Sequence, residues 1–257
     1  MNFNWYLFFH NVLNNPGGWM YLRYWDFSQY QNFVRIPAEW KNADLSFSYG
    51  LPENIDCSFC ERINFSNVVF KTGTSIKLNQ YSTEVNLSNT TGLYGAFECG
   101  GMGKVSFRGA DMSNIFRFQG AKRTDLTGAT GLFGLFDFRF TDYLNMTNTD
   151  VSHAQIYFNP NAKKINLTNV KGLSGVLDFG NAEHVVLFGA DLSRVTKIIC
   201  GPNTDLQGAV NFDGKIEYST SKQLSQKIAG TKHVYRNCAK AQVRRYRRMG
   251  FCGRGSR

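Results

Sequence analysis

One period of close to twenty residues runs through most of this chain. The triplets Ala43-Asp44-Leu45, Ile63-Asn64-Phe65, Val85-Asn86-Leu87, Val105-Ser106-Phe107, Thr124-Asp125-Leu126, Leu144-Asn145-Met146, Ile165-Asn166-Leu167, Val185-Val186-Leu187 and Thr204-Asp205-Leu206 align. Their last residues are spaced 20, 22, 20, 19, 20, 21, 20 and 19. Most read apolar, polar, apolar, the period-two pattern of a short strand with one face buried. A fixed period of this length means stacked coils, each burying a face that it could not bury alone.

Two residues after each of the last eight anchors stands Asn or Gly: Asn67, Asn89, Gly109, Gly128, Asn148, Asn169, Gly189 and Gly208. These side chains accept positive φ at least cost, so each coil is expected to turn a corner at the same place. The next residue is always small or β-branched, as suits a side chain pointing into a tight corner. A second strand repeats in step, and its expected inner column is Cys99, Phe118, Phe138, Phe158, Phe179 and Ile199. Rings stacked at the strand spacing would form a Phe ladder, the expected main source of stability. Alternate coils differ at the second corner. Gly92-Leu93-Tyr94-Gly95, Gly131-Leu132-Phe133-Gly134 and Gly172-Leu173-Ser174-Gly175 alternate with Ala110-Asp111-Met112-Ser113, Thr149-Asp150-Val151-Ser152 and Ala190-Asp191-Leu192-Ser193.

The units Gly189-Ala190-Asp191-Leu192-Ser193, Gly109-Ala110-Asp111-Met112-Ser113 and Asn42-Ala43-Asp44-Leu45-Ser46 resemble those of the pentapeptide-repeat proteins. The resemblance implies a right-handed quadrilateral β-helix, although most quarters of each coil depart from a five-residue beat. The expected fold is therefore all-β: a right-handed parallel β-solenoid of about nine coils, with an aromatic N-terminal cap over residues 1–42, the solenoid over 43–213 and a basic helical tail over 214–257. All four tryptophans, Trp5, Trp19, Trp25 and Trp40, fall in the expected cap, where an open terminal coil needs covering.

The charge is unevenly placed. Residues 214–257 hold twelve of the 29 Lys and Arg and one of the 19 acids, so the preceding residues carry 17 basic and 18 acidic side chains. In the tail, Lys222 to Ala229 and Lys232 to Met249 have helix-cap chemistry at their ends. The second would be a basic amphipathic helix, with Arg236, Lys240, Arg244, Arg245, Arg247 and Arg248 as the candidate binding residues. Its apolar stripe could cap the last coil while its cations contact an acidic protein, nucleic acid or anionic membrane. The chain's first thirteen residues lack a secretory n-region and cleavage site, and no apolar run reaches eighteen residues. Those features favour the cytoplasm, leave signal-independent secretion open, and predict no transmembrane segment.

Catalytic chemistry finds little support. Glu98, Asp137 and Asp178 recur every second coil, at roughly 10 Å intervals, near the upper limit for a carboxylate pair. With Arg117 and Tyr157 between them, they read as an alternating charge ladder on an outer face. Cys57 and Cys60 form a CxxC, which could gain two further ligands only if Cys238 and Cys252 folded back, and buried small hydrophobes explain it more simply. The histidines His10, His153, His184 and His233 lack ligand spacing, so no cofactor or metal is expected. Five Asn-x-Ser/Thr sequences fall out of the strand-corner pattern. The function expected is a non-enzymatic scaffold with an acidic macromolecular partner. The alternatives are a carbohydrate-active β-helix enzyme and a secreted bacterial effector or surface protein. Oligomeric state is not encoded in any pattern here.

Overall fold

Every anchor named above points into the core. Leu45, Phe65, Leu87, Phe107, Leu126, Met146, Leu167, Leu187 and Leu206 are all buried, and the residue two positions before each is buried as well. The computed structural model describes residues 19–28, 34–36, 38 and 40–219, and over them the chain is a parallel β-solenoid without helix. One long side is a ten-stranded sheet: Trp19–Tyr21, Asn42–Asp44, Arg62–Asn64, Glu84–Asn86, Lys104–Ser106, Arg123–Asp125, Tyr143–Asn145, Lys164–Asn166, Val185–Val186 and Thr204–Asp205. The rest of each coil runs through three shorter parallel sheets, of four, four and three strands.

The ladder extends further at both ends than the sequence period suggested. Trp19–Tyr21 pairs with Asn42–Asp44, so residues expected to belong to the cap form the first rung. Trp40 is buried and Trp25 packs against the core. At the other end Lys215–Tyr218 pairs with Arg194–Cys200, adding a strand beyond residue 213. The expected cap before Trp19 and the tail helices after Ser219 lie outside the described residues. No helix among the described residues is long and apolar enough to cross a membrane.

The corners follow the sequence closely. All eight Asn and Gly positions have positive φ, from 55° at Asn89 to 77° at Gly208. The residue after each, from Val68 to Ala190, is buried; Ala209, on the last coil, is half-buried. Two earlier corners break the rule, because Tyr24 and Phe47 also sit at φ 59°. Their rings stack on each other at 4.9 Å and 16°.

The second column is arranged differently from expectation. Phe118 pairs with Phe97 and Phe136, while Cys99, Phe138 and Phe179 belong to a row two residues further along. Ile199 is only half-buried, and the buried residues of its strand are Val195, Ile198 and Cys200. The cause is local. The coil from Phe107 to Leu126 is one of the two shortest, at nineteen residues, and its strand Ile115–Gln119 has an irregular register between Ile115 and Arg117. Two residues past Phe118 the coil has room only for glycine, because a Cβ on Gly120 would come within 2.7 Å of the Phe138 ring.

The result is a zigzag cluster in place of a straight ladder. Phe118 meets Phe107 edge-on at 5.3 Å, Phe136 at 5.6 Å and Phe138 at 5.8 Å. A separate contact, Phe158 to Phe179 at 5.4 Å, continues it in later coils. Phe118→Ala is expected to cost about 3–5 kcal/mol, because the surrounding rings cannot collapse onto the cavity. Urea unfolding should show a midpoint clearly lower than that of Phe116→Ala, whose ring is half exposed.

Candidate functional site

The acids and amides of this surface are mostly committed to turns. At the end of seven of the ten rungs of the long sheet an Asx side chain accepts the backbone N–H of the residue two positions on: Asp44 from Ser46, Asn64 from Ser66, Asn86 from Ser88, Asp125 from Thr127, Asn145 from Thr147, Asn166 from Thr168 and Asp205 from Gln207. Such a bond closes an Asx turn. Four of the five Asn-x-Ser/Thr sequences, at Asn64, Asn86, Asn145 and Asn166, are these turns. The second corner uses the same device, with Asp111, Asp150 and Asp191 accepting from Ser113, Ser152 and Ser193.

The three carboxylates weighed for catalysis do not converge. Glu98 is level with Gln119, then Asp137, then Tyr157, so two strand spacings, roughly 10 Å, separate the two acids. Arg117 does not stand between them. It is level with Ala96 and Leu135, and reaches Glu98 only diagonally, at 4.0 Å. The alternating ladder Glu98, Arg117, Asp137 is thus absent, for the same reason that the Phe column shifted. Asp137 instead holds Arg139 at 2.6 Å, and that guanidinium lies 5.3 Å over the Tyr157 ring. Asp178 lies in a different sheet and accepts from the Gly180 N–H.

The long sheet carries a shallow trench, a depression of about 310 Å³. It runs along the solenoid axis, with Val105, Thr124 and Leu144 beneath. One wall is Lys104, Arg123, Tyr143 and Lys164, which are level with one another on successive strands. The other is Asp125, Asn145 and Asn166. The Arg123 guanidinium lies 4.7 Å over the Tyr143 ring, and the Lys163 ammonium approaches it at 5.9 Å. Lys104 is paired with Glu84 at 2.6 Å, whereas no ion pair engages Lys122, Arg123, Lys163 or Lys164 among the described residues. Sequence reading passed over this wall, though its signal was present: its members are the residues immediately before the aligned triplets.

Cys57 and Cys60 face each other in the core at the ends of a turn closed by a 2.9 Å backbone bond. They occupy the inward positions that Phe138 and Thr141 fill in a later coil. Burial pushes the Cys57 thiol well above its ordinary range, and raises Cys99 to about 12. Among the described residues no three His, Cys, Asp or Glu side chains come together as metal ligands. The candidate tail residues Arg236, Lys240, Arg244, Arg245, Arg247 and Arg248, with Cys238 and Cys252, lie outside the described residues. No family model, curated protein or solved structure matches the chain.

Two outcomes follow from this chemistry. Hydrogen bonds from Arg139 to Asp137, from Ser152 to Asp150 and from Asn211 to Asp191 hold these carboxyls below the usual range. Their contribution is present above the unfolded value of about 3.9 and is lost as pH falls through the lower folded values. Thermal stability should therefore decline as pH drops from about 4 toward 2, and Asp150→Asn with Asp191→Asn should flatten that decline. All four thiols are buried, so Cys57, Cys60, Cys99 and Cys200 should resist iodoacetamide at neutral pH until urea is added. Mass spectrometry of the alkylated peptides reads this directly.

Proposed function

We propose that this chain is a non-enzymatic solenoid scaffold for macromolecular interaction, with its basic C-terminal segment contacting an acidic partner. The observation that carries this reading is charge segregation. The first 213 residues are close to neutral, and residues 220–257 hold eleven Lys and Arg with no acid. A near-neutral rod keeps a fixed shape while the cationic segment supplies long-range attraction, which raises association rates toward an acidic surface. Glu98 and Asp137 also stand two strand spacings apart, near the upper limit for a carboxylate pair, which favours a scaffold over an enzyme.

The same proposal takes the coils as degenerate pentapeptide repeats wound right-handed. Inward pairs Val105 with Phe107 and Ala110 with Met112 keep a five-residue step through two sides of a coil, and the irregular strand from Ile115 then breaks it. Right-handed winding is the norm for parallel strands joined by a crossover.

The test replaces Arg236, Lys240, Arg244, Arg245, Arg247 and Arg248 with Gln in the full-length chain and measures binding to single-stranded nucleic acid, anionic vesicles and poly-glutamate across a salt series. Affinity should fall steeply with salt for the native chain, and the six replacements should reduce the log–log slope by several units on nucleic acid. An unchanged slope and affinity would remove the tail from the function.

A further inference from the structure

We propose that the trench on the long sheet is a binding site for a linear acidic oligosaccharide, lying along the solenoid axis. Its carboxylates or sulfates would face Arg123, Lys163 and Lys164, and its hydroxyls would face Asp125, Asn145 and Asn166. No residue of the basic tail is part of this site.

Spacing is the first argument. Each wall repeats once per coil, about 4.8 Å, and the walls stand two residues apart on each strand, roughly 7 Å. A pyranose ring is about as long as one coil is tall and slim enough for the gap. A linear glycan can therefore place one ring per coil, with one ring edge on each wall.

Charge is the second. Lys122, Arg123, Lys163 and Lys164 outnumber the neighbouring Asp125 and Asp142, and Lys104 is offset by Glu84. The surplus lies along one wall only, as suits a polymer whose acid groups project from one edge. Tyr143 beneath Arg123 holds the guanidinium in place without cancelling its charge.

The opposite wall supplies oriented donors. The Oδ1 atoms of Asn145 and Asn166 each accept from a threonine N–H and a threonine hydroxyl, at 2.7 Å for the hydroxyls. That fixes the amides with Nδ2 turned away from the turn, free to donate to sugar hydroxyls. Asp125, held in the same way by Thr127, keeps a carboxylate oxygen as an acceptor.

Other polyanions fit less well. Nucleobases need an open aromatic face for stacking, and the one ring in this wall already has Arg123 over it at 4.7 Å. An extended acidic peptide gains affinity by pairing with an open strand edge. The trench instead crosses interior strands whose edges are already paired on both sides.

The test is calorimetry on the full-length chain at 0.15 M salt, with hexa-galacturonate, a heparin-derived hexasaccharide, a neutral cello-oligosaccharide, oligo(dT) and poly-glutamate as probes. At least one acidic saccharide should bind and the neutral one should not; binding of hexa-galacturonate shows that carboxylates suffice, whereas binding of the heparin hexasaccharide alone shows that sulfates are needed. Arg123→Gln with Lys164→Gln should weaken that binding by about tenfold or more, since two charge-assisted contacts are lost. Asn145→Ala with Asn166→Ala should weaken the saccharide alone, leaving oligo(dT) and poly-glutamate unchanged. The six-fold tail replacement should leave the Arg123 and Lys164 dependence intact, so failure of the tail reading and failure of this one are separable. Circular dichroism checks that each variant still folds. The proposal is overturned if no acidic saccharide binds, if the double variants bind as the native chain does, or if oligo(dT) or poly-glutamate shows the same dependence on Arg123 and Lys164.

Discussion

The corner two residues past each inward anchor is the constraint on which the other features rest. A parallel ladder stays in step over ten strands only if every coil leaves the long sheet at the same angle, and positive φ sets that angle. The residues that meet it come in neighbouring pairs: Asn67 with Asn89, Gly109 with Gly128, Asn148 with Asn169, Gly189 with Gly208. Within each Asn pair the later amide donates to the earlier, Asn89 to Asn67 at 3.1 Å and Asn169 to Asn148 at 2.9 Å. Where a glycine follows an asparagine, its missing Cβ leaves the space that the Asn89 or Asn169 side-chain oxygen occupies. Tyr24 and Phe47 hold the same backbone at about 1–2 kcal/mol each. Their stacking, worth about 0.5–1.5 kcal/mol, offsets part of that.

The same close approach explains why alternate coils differ. An Asp-x-Ser turn in one coil brings its serine backbone against the next coil, where a Cβ on Gly131 would come within 2.7 Å of Ser113 N. The following coil therefore needs glycine there, and Gly131 and Gly134 both have positive φ. The forty-residue unit is thus a packing pair: one coil contributes a side-chain cap, and its neighbour contributes the gap into which it fits.

This logic also separates what the sequence discloses from what it hides. The long sheet and its corners were legible, because inward anchors and positive-φ positions restrict residue type at each coil. The Phe column was not. Phe116 and Phe118 stand two residues apart, so alternation alone expects both rings on one face; the irregular register at Ile115 buries Phe118 and leaves Phe116 half exposed. The last strand was hidden for another reason. Lys215 was grouped with the basic tail by charge, yet Glu217 accepts ion pairs from Lys197 at 2.6 Å and from Lys215 at 2.8 Å, tying that segment to the solenoid. The trench wall went unread because outward residues answer to no packing rule, and only the coordinates put Lys104, Arg123, Tyr143 and Lys164 in line.

That freedom is what makes the wall informative about function. Most outward Asx positions are occupied with closing turns, so their chemistry is explained by the fold. The column just before the inward residues closes no turn, and packing would accept almost any polar side chain there. It nevertheless carries neutral Asn42, then Arg62, the Glu84–Lys104 pair, and Arg123, Tyr143 and Lys164 in succession. A column under no folding constraint that concentrates cations around one tyrosine, opposite a row of oriented amides, has an arrangement that folding alone does not require. It is the arrangement on which the proposed saccharide site rests.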